Sequence, residues 1–212
     1  ETAYLKCHYP REYMAALMTS VLDSTTKISE YIAECRELGI AVLPPDVNQS
    51  DDQFTVTEEG IRFGLGAVKN IGMGFVANLM KERENGGSFT SLEDFCQRMS
   101  GIDLNKRTVE NLIKCGAMDC FGAYRSQQLK VYELVMSAVA DAKKHNVDGQ
   151  LGLFDLAETE AVKPATVPLP NIPELTAREK MQLEKETTGL YLSGHPMDEY
   201  RASVKKAGAA PV

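Results

Sequence analysis

The sequence predicts a mainly α-helical protein with one small β-hairpin, built on two consecutive helix-hairpin-helix units and followed by an extended C-terminal linker and a final helix. Three observations predict this. Apolar residues recur at helical spacing through most of the 212 residues. One pair of short β-prone runs, 54–57 and 61–63, flanks Glu58-Glu59-Gly60. Four of the nine prolines fall between 155 and 173, where periodicity stops.

The elements follow in order. Pro10 opens a helix whose apolar positions are Tyr13, Leu17, Val21 and Leu22, with proline at a favourable first position. Ser24 or one of the next two threonines caps a second helix on the stripe Ile28, Ile32 and Cys35, and Gly39 is its left-handed stop. Residues 40–43 form a short strand ended by Pro44-Pro45. After the hairpin the chain reads as helical to residue 145, broken by glycines. Its longest helix spans 124–145, with Leu134, Val135, Ala138, Val139 and Ala142 on one face. Residues 155–173 read as an extended, mobile linker, and 174–187 as a charged helix with little apolar face. The last residues read as a frayed or truncated terminus.

Charge and composition exclude several classes. Twenty-three Lys and Arg against 30 Asp and Glu give a net charge of −7, so no overall basic field draws the protein to nucleic acid, and any such contact needs a local patch. No run of 18 apolar residues suggests a membrane span, and the first residues lack the pattern of a secretory signal. Five cysteines with no Cys-x-x-Cys read as reduced, buried thiols of a cytoplasmic protein rather than a disulfide framework or metal site.

The most informative stretch is residues 64–79, GLGAVKNIGMGFVANL. A short helix ending near Asn70, a turn carrying Gly72-Met73-Gly74 and a second helix make a helix-hairpin-helix layout. Glycine there permits φ > 0 and close approach of a ligand to the backbone, and the first-turn amides of the next helix suit a phosphate oxygen. Lys69, Asn70, Ile71, Gly72, Met73 and Gly74 are therefore candidate phosphate-binding residues. Arg62, Lys69, Lys81 and Arg83 against Glu82 give a local charge of +3. The competing reading is a plain helical hairpin whose glycines only allow close packing. A second unit runs from 91 through the turn at 99–102 into 105–115, and places Lys106 and Arg107 at a helix start; with a single glycine, its phosphate role is less defined.

A third feature is Gln150-Leu151-Gly152-Leu153-Phe154, two large apolar residues beside a proline-rich stretch, which suits insertion into a partner's pocket. The competing reading docks it on its own helix. No nucleotide-binding loop, zinc-protease or nucleophile-elbow motif is present, and Asp51-Asp52 and Glu58-Glu59 are adjacent pairs that do not converge as metal ligands do. The sequence assigns no catalytic and no metal-binding residue.

HYPREYMAALMTSV, KISEYIAECRELGIAVLPPDVNQS, FGLGAVKNIGMG, SFTSLEDFCQRM, NKRTVENLIKCGAMDCFG, GQLGLFD and GLYLSGHPMDEY together resemble the C-family replicative polymerases, the alpha subunits of bacterial DNA polymerase III. The resemblance covers nearly the whole chain apart from the linker and implies an internal fragment. It divides into the end of the fingers region (1–50), a DNA-binding domain with the β-hairpin and tandem helix-hairpin-helix (51–145), a clamp-binding peptide and linker (146–173), and an approach to the oligonucleotide-binding domain (174–212).

The family's active site is three palm-domain aspartates on Mg²⁺, none of them in this stretch, so the resemblance implies no cofactor and no catalysis here. It implies sequence-independent contact of Gly72 and Gly74 with double-stranded DNA. Gln150, Leu151, Leu153 and Phe154 would bind the ring-shaped sliding clamp (beta subunit), with Gln150 at the rim of the pocket. The other polymerase domains are further partners. Gly152 departs from the small polar residue usual in that peptide. A helix-hairpin-helix nuclease or glycosylase, and a ligand-free interdomain scaffold, are the alternatives. The former needs a poised Asp or Lys that Phe75, Val76, Ala77 and Asn78 do not supply.

Overall fold

The computed structural model describes residues 2–102, 104–147 and 167–194. The chain begins with helix α1 (Thr2–His8), which buries no residue and which the sequence pattern did not signal. It has no apolar stripe of its own, and an ion pair between Lys6 and Glu34 ties it to the third helix. Helix α2 (Pro10–Thr19) starts on the expected proline and buries Met14, Ala15 and Met18. Helix α3 (Thr25–Glu37) buries the expected Ile28, Ile32 and Cys35 and stops at Gly39, whose φ is +71°.

Strand β1 (Val42–Leu43) pairs in parallel with β3 (Ile61–Arg62), and β2 (Thr55–Val56) pairs with β3 in antiparallel register, Val56 opposite Ile61. The expected hairpin is thus part of a three-stranded sheet ordered β1-β3-β2. Gly60 lets that third strand approach: a Cβ there would lie 2.2 Å from the carbonyl oxygen of Ala41. Between β1 and β2 the chain folds around Asp46, whose carboxylate accepts from Asn48 N at 2.7 Å and whose carbonyl accepts from Ser50 N at 2.8 Å. Asp46 therefore stabilises a turn.

Helix α4 (Met73–Gly86) follows a 3-10 turn at Leu65–Ala67. Helices α5 (Leu92–Met99) and α6 (Lys106–Lys114) form the second hairpin, with Ser91 and Asn105 as their N-caps, accepting from Asp94 N and Thr108 N. Both caps match the sequence preference for serine and asparagine before an apolar-periodic run. The hairpin packs on α7 (Arg125–Val147), a helix of 23 residues. The expected inward face of α7 is only partly right. Val135 is buried as expected, but Leu134 is 62% exposed and Ala142 is exposed, while Val131 and Tyr132 are buried where the helix packs on α5 and α6. A continuous core runs from Met14 and Met18 through Ile61 and Phe63 to Phe95 and Leu112, all fully buried. Each such side chain contributes about 1.5–3 kcal/mol relative to exposure.

Residues 167–173, expected to be part of a mobile linker, are extended but docked. Gln127 Nε2 donates to the carbonyl of Pro170 at 2.9 Å and Ser126 Oγ to that of Pro173 at 2.8 Å. Glu174 then caps α7 from 49 residues away, accepting from Arg125 N and Ser126 N at 3.2 Å each. Helix α8 (Ala177–Thr188) opens with a reciprocal Thr176–Glu179 capping box and ends at Gly189, φ +78°. Its buried side is partly ionic, which explains why no apolar stripe was legible. Glu184, 1% exposed, accepts from Arg125 Nη1 at 3.0 Å, and Arg125, 5% exposed, also holds Asp119 at 2.6 Å.

Candidate nucleic-acid interface

The turn between the 3-10 segment and α4 is built from alternating buried and exposed residues. Val68 and Ile71 point into the core, leaving Lys69 and Asn70 at the surface. Asn70 carries the left-handed conformation, φ +60°, and is the one non-glycine residue among those described to do so. Asparagine tolerates this region better than most residues. Two distant elements fix the turn's backbone. Asn111 Nδ2, on α6, donates to the carbonyl of Lys69 at 2.8 Å, and the Lys69 amide donates to the carbonyl of Thr187, at the end of α8, at 2.9 Å.

Gly72 and Gly74 do not adopt the positive φ expected of them. Gly72 is extended (φ −76°, ψ 143°) and serves as the N-cap of α4, while Gly74 lies within its first turn. The reversal of direction is made at Asn70 instead, so these glycines are not needed for backbone freedom. Nor are they needed for packing: a Cβ at either position would meet nothing within 4 Å. Gly64 and Gly66 behave in the opposite way, since a Cβ there would lie 2.6 Å from the backbone of Gln53 and Asp52 respectively. The close-packing reading therefore holds for the first glycine pair and fails for the second.

What Gly72 and Gly74 leave is an open, side-chain-free surface at the start of a 14-residue helix. No side chain caps it, its first turn holds no acidic residue, and the amides of Gly72, Met73 and Gly74 have no acceptor among the described residues. Met73 flanks the opening and is 50% exposed. Unpaired amides and the positive end of the helix dipole together suit an anionic oxygen.

The local positive charge is smaller than the sequence sum suggested. Arg62 is buried and donates to the carbonyl of Pro44 and to Gln49 Oε1, and Arg83 is held by Asp51 at 2.7 Å and by the carbonyl of Ser50. Both are structural. Lys69 and Lys81 remain outward, Lys69 Nζ resting on the carbonyl of Glu186 at 3.2 Å.

At the second hairpin, Gly101 supplies the left-handed turn, φ +91°, and Lys143 from α7 donates to the carbonyl of Ser100 at 2.9 Å. Lys106 and Arg107 stand exposed in the first turn of α6, a position that disfavours cations by a few tenths of a kcal/mol up to about 1 kcal/mol each. Lys106 is offset by Glu133 of α7 at 2.6 Å, whereas Arg107 has no ion pair among the described residues. The first unit differs from the second in that its leading helix is the three-residue 3-10 turn. Asn111, Thr187 and Lys143, which fix the two turns, gave no sequence signal, because their contacts bridge 42, 118 and 43 positions and each involves a backbone carbonyl.

Gln150, Leu151, Leu153 and Phe154 lie outside the described residues. Among the described residues, no three His, Cys, Asp or Glu side chains converge as metal ligands, and no helix is long and apolar enough to cross a membrane. The five thiols are unpaired. Cys7 and Cys120 are exposed, contrary to the expectation that all are buried, and burial pushes Cys96 and Cys115 up to about 12. Cys120 is pushed equally far by desolvation and by the neighbouring Asp46, so none of these three is a thiolate near neutrality.

Residues 39–128 match the helix-hairpin-helix motif family. Nearly the whole chain is similar to proteins described as DNA polymerase III subunit alpha. It is 39% identical to that of Chlamydia pneumoniae over 94% of this chain and 16% of that protein. It is 42% identical to that of Neisseria meningitidis over 97% and 18%, and 44% identical to that of Thermus aquaticus over 94% and 16%. The chain thus spans about a sixth of the length of these relatives. With its helix-hairpin-helix architecture and an alignment over more than nine-tenths of its length, the chain matches a segment of the DNA polymerase III alpha subunits.

Proposed function

We propose that this segment is a non-catalytic module that holds a cytoplasmic replicative polymerase on double-stranded DNA. The observation that carries the reading is the pair Gly72 and Gly74, whose missing side chains serve neither backbone conformation nor internal packing. A phosphate oxygen from the DNA backbone fills that role, accepting from the amides of Gly72, Met73 and Gly74 with Lys69 alongside. Lys106 and Arg107 add a second contact on the neighbouring hairpin. Amides and ammonium groups read phosphate and not bases, so binding is sequence-independent and weakens steeply with salt.

The second part of the proposal is a tie to the sliding clamp through Gln150, Leu151, Leu153 and Phe154, supported by the similarity to DNA polymerase III alpha subunits and by the peptide's composition. Its first residue follows Val147, the end of α7, by three positions, a reach of about 10 Å. Filling pockets with Leu153 and Phe154 contributes about 1.5–3 kcal/mol each, and ordering the segment costs about 2–5 kcal/mol, so the peptide alone binds weakly. With DNA already engaged, the second contact forms at an effective concentration of about millimolar, which prolongs residence without locking the complex. Polymerisation and its Mg²⁺ belong, in this reading, to other parts of the polymerase.

The test is a pair of titrations, with short duplex DNA and with purified sliding clamp. Changing Leu153→Ala together with Phe154→Ala abolishes clamp binding and leaves duplex affinity unchanged. Absence of duplex binding by the unaltered chain at low salt would favour an interdomain scaffold instead.

A further inference from the structure

We infer that α8 is a working part of the DNA-binding turn and that Glu184 is its positioning residue, an inference that rests on the reading that residues 69–74 meet phosphate. Helix α8 lies more than a hundred positions after the turn, yet its last residues hold it directly. The carbonyl of Thr187 accepts from Lys69 N at 2.9 Å, and the carbonyl of Glu186 accepts from Lys69 Nζ at 3.2 Å. Lys69 is thereby fixed at both its backbone and its ammonium. The C-terminal carbonyls of a helix carry its negative end, which suits a cation and leaves the other ammonium hydrogens facing outward. Asn111 completes the grip from α6, through the carbonyl of the same residue.

Glu184, three residues before Thr187, determines where those carbonyls sit. Its carboxylate is 1% exposed and accepts four hydrogen bonds besides any other contact: from Arg125 Nη1 at 3.0 Å, Leu192 N at 3.0 Å, Ser193 N at 2.9 Å and Ser193 Oγ at 3.0 Å. The first locks α8 to the start of α7. The others fold residues 190–193 back under the helix end. Thr188 Oγ1 binds the carbonyls of Glu184 and Leu190 and so joins the two parts. Gly189 permits the whole to seat against α3, since a Cβ there would lie 2.2 Å from Thr25 Cγ2. Without the carboxylate, the helix end loses the bonds that fix its height against the turn, while Arg125 keeps Asp119. The DNA grip of the first hairpin is therefore completed by a segment on the far side of residues 148–166.

The experiment uses the full chain as Glu184→Gln and, as a milder loosening that preserves the buried charge pair, Ser193→Ala. Amide hydrogen exchange of Lys69 is read without DNA, and duplex affinity is read across a salt series. Both variants are expected to speed exchange at Lys69. They are expected to weaken duplex binding about threefold to tenfold and to lower the salt slope by up to one, the share of one phosphate contact. Lys69→Ala added to Glu184→Gln should weaken binding no further. If Lys69 exchange is unchanged in both variants, or if it rises while affinity and slope stay at the unaltered values, the positioning role is overturned. Gly72→Val separates the two readings: if it weakens binding and the Glu184 and Ser193 variants do not, this inference alone falls. If Gly72→Val also binds normally, the phosphate assignment falls and takes the positioning role with it.

Discussion

Gly72→Val is the sharpest perturbation of the proposed DNA contact because the chain itself has no reason to reject it. The position is extended, a conformation that valine favours, and a Cβ there meets open space. Valine is a poorer N-cap than glycine, so a folding cost of about 0.5–1 kcal/mol is expected. The effect on binding is larger. A branched side chain at the mouth of α4 keeps a phosphate oxygen out of reach of the amides of Met73 and Gly74. Hydrogen bonds to a charged group contribute about 1.5–3 kcal/mol each. Loss of one corresponds to roughly tenfold to a hundredfold weaker duplex binding, at 1.4 kcal/mol per decade. Fluorescence anisotropy with a labelled duplex at several salt concentrations measures it, and a thermal melt on the same sample shows that the fold is intact. An affinity within twofold of the unaltered chain, with a normal melt, would refute the assignment.

Gly64→Ala should behave inversely, destabilising by about 1–3 kcal/mol because its Cβ lands 2.6 Å from the backbone of Gln53; chemical denaturation reads the loss, and duplex affinity per folded molecule should not change. Arg125→Met strands the buried Glu184 carboxylate and is expected to cost about 3–5 kcal/mol, seen as a lower denaturation midpoint. Arg107→Ala should lower the salt slope of duplex binding by about one, while Lys106→Ala does less because Glu133 already holds that ammonium. Glu174 supplies a pH signature. Burial alone would raise its pKa, but Lys180 and the amides of Leu175, Ser126 and Arg125 outweigh it and hold the carboxyl down at about 2. Since its folded value lies below the ordinary one, its contribution is present above about pH 5 and disappears as pH falls towards 2. The stability difference between the unaltered chain and Glu174→Gln should shrink over that window.

Local chemistry was the legible part of this molecule. Pro10, Gly39, the stripe Ile28, Ile32, Cys35 and the helix starts at 91 and 105 each depend on neighbours within a few positions, and each element formed where they placed it. The parallel pairing of β1 with β3 was not legible, because it depends on Gly60 meeting Ala41 across the chain and not on any alternation in two-residue strands. Helix α8 concealed its inward side because Glu184 is buried by pairing with Arg125, which in the sequence reads as one more solvated charge. At the candidate site, spacing singled out Gly72 and Gly74 but assigned them a positive φ that neither adopts. Asn70 makes the turn, and nothing in a lone asparagine distinguishes that role. The charge sum overcounted for a similar reason, as Arg62 and Arg83 meet backbone carbonyls that composition does not reveal.

The docking of residues 167–174 at the beginning of α7 has a mechanical corollary. The chain departs from the far end of that helix at Val147 and is fastened again beside Ser126 and Gln127, some 20 residues back along the axis, or about 30 Å. Helix α7 is thus a spar with one attachment at each end. A pull on residues 167–174 is taken up at its first turn, at the foot of the same segment whose other end steadies Lys69.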